Sequence, residues 1–124
     1  MAKKILIIED DLSLQKSLAA YLDSEGFNTE LASDGENGVR MVLSRNPDLV
    51  VLDIILPKKD GYEVLKNIKE NKKTKHIPVI ILTNLDNISN VQKALDLGAT
   101  TYLVKADYKL EEITKKIKDT LSIE

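Results

Sequence analysis

The chain has 124 residues, of which 43% are hydrophobic and 31% are charged, and its formal net charge is −2. This length suits one compact domain, and the small net charge gives no general reason to bind nucleic acid or an anionic membrane. The absence of cysteine excludes disulfides, thiolate metal sites and a cysteine nucleophile, and it is typical of cytoplasmic proteins. We therefore expect a single cytoplasmic domain over residues 1–124, with no transmembrane helix, no secretory signal and no direct contact with nucleic acid or membrane.

Five short apolar runs predict β-strands. They cover residues 4–8, 27–32, 49–52, 79–82 and 101–104. The first and third runs are continuously apolar, as in strands of a parallel sheet that are buried on both faces. The second run is half polar, which indicates a strand nearer an edge of the sheet.

Between these runs and after the last one, apolar residues recur at helical spacing. The five predicted helices carry Leu12, Leu14, Leu18, Ala19 and Leu22; Val39, Met41, Val42 and Leu43; Val64, Leu65 and Ile68; Val91, Ala94, Leu95 and Leu97; and Leu110, Ile113, Ile117 and Leu121. Residues 33–35 open the second helix, while Gly26, Gly98 and Pro47 mark helix ends. Alternating strands and helices predict an α/β fold of three layers, a parallel sheet covered by helices on both faces.

Charged and hydroxyl residues follow the predicted strands, at the edge where open α/β sheets bind ligands. They are Glu9, Asp10, Asp11, Asp53, Thr83 and Lys105. Singly, such residues are more often helix caps or surface charges, but the fold brings them together. Clustered carboxylates repel, and a divalent cation relieves that repulsion; an oxygen-only site suits Mg²⁺. An aspartate in such a site can attack phosphorus and form an acyl phosphate, with a lysine neutralising the phosphoryl oxygens.

Four segments, ILIIEDD, PDLVVLDIILPKKDGYEVL, VIILT and GATTYLVK, together resemble the receiver domain of response regulators in two-component signalling. The resemblance implies a flavodoxin-like, doubly wound sheet in the strand order 2-1-3-4-5. It also implies a phosphoryl group received from a histidine kinase or a histidine phosphotransfer protein. The output would then pass to a downstream protein target or to an effector domain outside this chain. The chain would be no enzyme beyond catalysing its own phosphorylation and dephosphorylation.

The resemblance assigns the acidic residues to a magnesium pocket. Asp53 matches the phosphoacceptor, and Glu9 and Asp10 match the acidic pair, with Asp10 the more direct metal ligand. The backbone carbonyl of Ile55 matches the remaining protein ligand. Asp11 is the alternative member of the pair if the register slips by one residue.

Three further residues match the family's switch machinery. Thr83 corresponds to the switch hydroxyl, Lys105 to the family's lysine and Tyr102 to the switch aromatic. Phosphorylation would draw Thr83 toward the phosphoryl oxygens and turn Tyr102 inward, repacking the face made by the fourth helix, fifth strand and fifth helix. A simple core or rim aromatic is the alternative interpretation of Tyr102.

The sequence departs from the family's pattern in three places. Ala106 follows the lysine where proline is usual, Asn84 follows the switch hydroxyl where a small residue is usual, and threonines occupy 100–101, which are often acidic in the DNA-binding branch. We expect a trans Lys105–Ala106 bond, because a cis bond before a non-proline residue costs about 2.5–4 kcal/mol. We also expect that trans bond to hold Lys105 back from Asp53.

Two other functions share parts of this pattern. A haloacid-type, metal-dependent phosphatase also uses an aspartate nucleophile, but it needs a second aspartate two residues later, where this chain has Ile55. A receiver that binds partners without phosphorylation is the other alternative, and the intact set of Asp10, Asp53, Thr83 and Lys105 argues against it.

The remaining candidates have ordinary explanations. His76 and the neighbouring lysines at 72, 73 and 75 are expected to form a solvated turn. Leu12 and Leu14 belong to the apolar stripe of the first helix, with a kinase-docking surface as the alternative.

Overall fold

Over residues 2–123, which the computed structural model describes, five strands form one parallel sheet. They are β1 (Lys4–Ile8), β2 (Asn28–Ala32), β3 (Leu49–Leu52), β4 (Val79–Thr83) and β5 (Thr101–Val104). The strand order is β2-β1-β3-β4-β5. This order confirms the flavodoxin-like topology, and it places the half-polar strand β2 at an edge, as its composition predicts.

Helices cover both faces of the sheet. They are α1 (Leu12–Ser24), α2 (Gly35–Arg45), α3 (Gly61–Glu70), α4 (Ile88–Asp96) and α5 (Leu110–Thr120). Alternate residues of each strand point to opposite faces. On β1, Ile5 and Ile7 therefore pack with α1 and α5, whereas Leu6 and Ile8 pack with α2, α3 and α4. The expected three-layer architecture is confirmed. None of the helices over residues 2–123 is long and apolar enough to cross a bilayer.

Short polar side chains cap the N-termini of α1, α2, α3 and α4. The side chains of Asp11, Asp34, Asp60 and Asn87 each accept a hydrogen bond from the backbone amide three residues later, which stops the first turn from unravelling. Between β1 and α1 only residues 9–11 remain. This brevity leaves the acidic segment little freedom.

The lysine-rich loop before β4 is only partly the solvated turn that the sequence predicts. His76 and the lysines at 72, 73 and 75 are exposed as expected, but Thr74 is 3% exposed. Its hydroxyl donates to the Ile68 carbonyl at 2.7 Å, and the Lys69 ammonium donates to the Ile77 carbonyl at 2.6 Å. The loop is therefore a packed turn with a charged rim.

We predict that Thr74→Val lowers the free energy of unfolding by about 1–2 kcal/mol, because it leaves a buried carbonyl without its hydroxyl partner. Urea denaturation followed by far-UV circular dichroism measures the loss. Thr120→Val is the matched control, since it removes an exposed hydroxyl–carbonyl bond and should change stability by less than about 0.5 kcal/mol. Equal effects in the two variants would contradict the structural role of Thr74.

Candidate functional site

The register of the sheet brings four strand ends together. Ile8 pairs with Leu52, so Glu9 and Asp53 are the next residues after neighbouring strands and lie at the same level. On the other side of β3, Thr83 pairs with Val104, so Lys105 lies one residue past the end of β5. The carboxyl ends of parallel strands thus concentrate the polar side chains at one edge.

Three carboxylates form the acidic part of this edge. Oxygen atoms of Glu9, Asp10 and Asp53 lie within 4.8 Å of one another. Glu9 and Asp53 are 3% and 5% exposed, whereas Asp10 is exposed to solvent. Asp11 is not part of this group, and its carboxylate caps α1 by accepting a hydrogen bond from the Leu14 amide, 3.2 Å away. Glu9 and Asp10, the predicted acidic pair, therefore lie together with Asp53, and Asp11 is a helix cap.

Lys105 bridges the two buried carboxylates. Its Nζ lies 2.7 Å from Glu9 Oε1 and 2.8 Å from Asp53 Oδ2. Burial of Lys105 opposes protonation, but its hydrogen bonds to Asp53 and Glu9 outweigh that effect and raise the lysine pKa. Burial raises the pKa of the Glu9 carboxyl to about 7, despite opposing hydrogen bonds from Lys105 and the Asp11 amide. Lys105 and the Asp11 amide thus offset only part of the effect of burial on Glu9.

The peptide bond after Lys105 is trans, as expected, since residues 2–123 contain no cis bond. The linked expectation that a trans bond would hold the lysine back from Asp53 is wrong. The chain forms a short 3₁₀ turn over Lys105–Asp107, and the side chain reaches Asp53 directly. Ala106 itself is exposed and leaves the contact intact.

The loop after β3 fixes the orientation of the Asp53 carboxylate. Asp53 Oδ1 accepts hydrogen bonds from the amides of Ile54 and Ile55, at 2.7 and 3.3 Å. The Gly61 amide donates to the Ile54 carbonyl at 2.8 Å. A Cβ atom at Gly61 would lie 2.2 Å from the Asp53 carbonyl oxygen. Only glycine allows the start of α3 to approach this strand end so closely.

Thr83 and Tyr102 occupy the β4–β5 side of the pocket. Thr83 is fully buried, and its Oγ1 has no hydrogen-bond partner among residues 2–123. Such an unpaired buried hydroxyl is unfavourable, and native proteins usually provide a partner. The half-buried Tyr102 hydroxyl donates to the Leu85 carbonyl in the loop before α4. Burial raises the pKa of Tyr102 to about 12, with smaller contributions from Tyr62, Asp53 and Asp86, so this hydroxyl stays a donor.

Gln15 is a polar residue of this region that the sequence reasoning missed. It is 3% exposed, and its Nε2 lies 3.0 Å from the Glu9 carbonyl and 3.1 Å from the Ala32 carbonyl. The available signal was its position on the apolar stripe of α1, three residues before Leu18. A lone glutamine in an apolar stripe does not by itself indicate a functional role.

The acidic group fits a small, hard cation. Oxygens on opposite sides of Mg²⁺ lie about 4.2 Å apart, twice the metal–oxygen distance. The carboxylate oxygens of Glu9, Asp10 and Asp53 are already within 4.8 Å, so only small side-chain movements would bring them to one ion. The exposed Asp10 would keep part of the coordination shell open to water or a phosphate, as Mg²⁺ prefers.

A sequence model of the response regulator receiver domain matches residues 5–118. The chain belongs to this family. The response regulator MprA of Mycolicibacterium vanbaalenii is 35% identical over 121 residues, which cover 98% of this chain and 51% of that protein. The receiver domain thus spans about half the length of the curated relatives it matches.

Solved receiver structures share the fold closely. A CheY-like receiver domain protein from Methanospirillum hungatei has a TM-score of 0.92 and 27% identity, with coverage of 98% of this chain and 95% of that chain. The receiver domain of the sensor histidine kinase PA1611 from Pseudomonas aeruginosa has a TM-score of 0.86 and 28% identity, with coverage of 96% and 97%. That second structure has a magnesium ion coordinated in its active-site cleft.

We predict that Lys105→Met lowers the free energy of unfolding by about 1–3 kcal/mol at neutral pH without metal, because it leaves two buried carboxylates without their hydrogen-bond donor. Mg²⁺ should stabilise this variant more than it stabilises the unmodified protein. Urea denaturation in EDTA and in excess Mg²⁺ gives both values.

Lys118→Met is the control for that measurement. Its ammonium group pairs with Glu25 at the surface, 2.8 Å away, and its loss should change stability by less than about 1 kcal/mol. A Lys105→Met protein as stable as the control in EDTA would contradict the bridging role.

Proposed function

We propose that this receiver domain is switched by a phosphoryl group that Asp53 accepts from a histidine kinase or a histidine phosphotransfer protein. In the proposed pocket, Mg²⁺ is held by the carboxylates of Glu9, Asp10 and Asp53 and by the backbone carbonyl of Ile55. The observation that carries the proposal is the setting of Asp53, a buried carboxylate held by the Lys105 ammonium beside two further acids. The magnesium-bound relative from Pseudomonas aeruginosa supports the choice of cation.

The chemistry follows from the groups around Asp53. An oxygen of its carboxylate attacks the phosphorus atom of a phosphohistidine, and the new O–P bond forms as the P–N bond breaks. The P–N electron pair stays on the imidazole, which takes up a proton from solvent. When bound, Mg²⁺ neutralises charge on the phosphoryl oxygens in the transition state. The amides of Ile54 and Ile55 keep the carboxylate oriented, and Lys105 exchanges its contact with Asp53 for one with a phosphoryl oxygen.

Thr83 gives the phosphorylated site a way to change the rest of the domain. Its unpaired hydroxyl gains a partner when it donates to a phosphoryl oxygen. Movement of Thr83 opens space beside Tyr102, whose hydroxyl then leaves the Leu85 carbonyl and turns inward. The loop before α4 loses that hydrogen bond, and the α4–β5–α5 face takes a second arrangement.

The output of this switch is a contact with a downstream protein target or with an effector domain outside this chain. The domain acts on no separate substrate beyond its own phosphorylation and dephosphorylation, in which water attacks the acyl phosphate. We also propose that residues 1–124 form one receiver domain, which agrees with a family match over residues 5–118.

Acetyl phosphate tests the phosphoacceptor directly. We predict that the protein gains the mass of one phosphoryl group in the presence of Mg²⁺, that EDTA abolishes the gain, and that Asp53→Asn shows none. Asp60→Asn is the matched control, because this exposed residue lies in the same loop and asparagine still caps α3. Labelling of Asp53→Asn at another residue, or labelling unaffected by EDTA, would refute the proposal.

We predict that Thr83→Val separates phosphorylation from switching. Because the hydroxyl has no partner, its replacement by a methyl group should leave stability unchanged or slightly higher. Phosphorylation should then no longer shift the NMR resonances of Tyr102 and Leu85. Thr114→Val is the contrasting control, since its buried hydroxyl donates to the Leu110 carbonyl at 2.8 Å and its loss should cost about 1 kcal/mol. Full Tyr102 shifts in phosphorylated Thr83→Val would rule out this relay.

A further inference from the structure

Gln15 lies where α1 passes back over the ends of β1 and β2. Its buried carboxamide donates to the carbonyls of Glu9 and Ala32 at 3.0 and 3.1 Å, and its nitrogen lies 3.3 Å from Ser33 Oγ. Carbonyl oxygens only accept, so the NH₂ group of the amide must face them. The side chain is therefore fixed by two strand ends at once.

The Glu9 carbonyl belongs to the peptide group that joins Glu9 to Asp10. Its direction sets the backbone angles on both sides and thus the directions in which the two carboxylates leave the chain. The strand ladder holds Ile8 but ends there. Past that point, the Glu9 amide donates to the Ala32 carbonyl at 3.0 Å, and Gln15 holds the following carbonyl. The amide and the carbonyl of Glu9 are therefore both hydrogen-bonded, which fixes the backbone at this residue.

The chemistry of an amide suits this position. Glutamine is neutral, so it orients the acidic pair without adding a charge that would compete with a cation. An aliphatic side chain of the same size would leave the buried Glu9 carbonyl without its side-chain donor. A glutamate would place an acceptor against two carbonyl oxygens and a further negative charge beside the cluster.

We propose that Gln15 is a positioning residue for the Mg²⁺ site, which it serves by fixing the peptide group between Glu9 and Asp10. The inference rests on the proposed function, because it concerns the metal site named there. Groups that orient metal ligands typically change metal affinity when they are removed, although they touch no metal. Gln15 would also tie the site to the β2–α2 turn through Ala32 and Ser33.

The test compares Gln15→Met with Thr74→Val. Both variants remove buried hydrogen bonds to backbone carbonyls, but Thr74 lies in the turn before β4, at the amino ends of the strands. We expect Gln15→Met to weaken Mg²⁺ binding about tenfold, as measured by isothermal titration calorimetry, and Thr74→Val to leave it unchanged. In the metal-free protein, the amides of Glu9 and Asp11 should exchange hydrogen faster in Gln15→Met alone.

The outcomes distinguish a failure of the proposed function from a failure of the inference about Gln15. No Mg²⁺ binding by the unmodified protein would overturn the proposed function and this inference with it. Normal binding by the unmodified protein and by Gln15→Met, or equal losses in Gln15→Met and Thr74→Val, would overturn the inference alone. If Gln15→Met does not fold, Gln15→Asn keeps the amide but shortens its reach, and undiminished Mg²⁺ affinity in that variant would likewise overturn it.

Discussion

The Lys105 ammonium group between Glu9 and Asp53 is the contact on which the rest of the pocket depends. Two buried carboxylates at neighbouring strand ends repel each other, and burial raises the pKa of the Glu9 carboxyl. A single cation satisfies both at distances below 3 Å. It does so from the turn after β5, a strand that pairs with neither β1 nor β3. Ion pairs of this lysine therefore connect the edge strand β5 to the two central strands β1 and β3.

The two sides of this contact differ in how completely their polar groups are hydrogen-bonded. On the β1–β3 side, the groups beside the carboxylates are satisfied, by Gln15 at the Glu9 carbonyl and by the Ile54 amide at Asp53. On the β4 side, the Thr83 hydroxyl lacks a partner among residues 2–123. Satisfied groups resist movement, whereas an unpaired buried donor gains free energy from any acceptor that arrives. Hydrogen bonds thus hold the backbone beside Glu9 and Asp53, whereas the Thr83 hydroxyl can still donate to a new acceptor.

Sequence reasoning located the fold and the strand-end residues because both depend on local signals. Apolar runs, Asp34 as a helix start and Gly26 as a helix end each act within a few neighbours. The buried roles of Gln15 and Thr74 could not be predicted in this way. The carboxamide of Gln15 binds the Ala32 carbonyl, 17 residues away. Thr74 stands among lysines that predict an exposed loop. The distance between Lys105 and Asp53 is wrongly predicted for a related reason. The strand register and the turn after β5 determine this distance, and the isomer of one peptide bond does not.

The helix that follows the acidic pair contributes to the same electrostatic balance. α1 begins at Leu12, directly after the carboxylates, so the partial positive charge of its N-terminus faces the acidic edge. Asp11 uses part of this potential as a cap, and a helix end of that kind favours negative groups near it by about 0.3–1 kcal/mol each. Together with Lys105, it lowers the penalty of crowding anions at one edge. Under the proposed function, the same two sources of positive charge would also favour the negative charge of a phosphoryl group on Asp53.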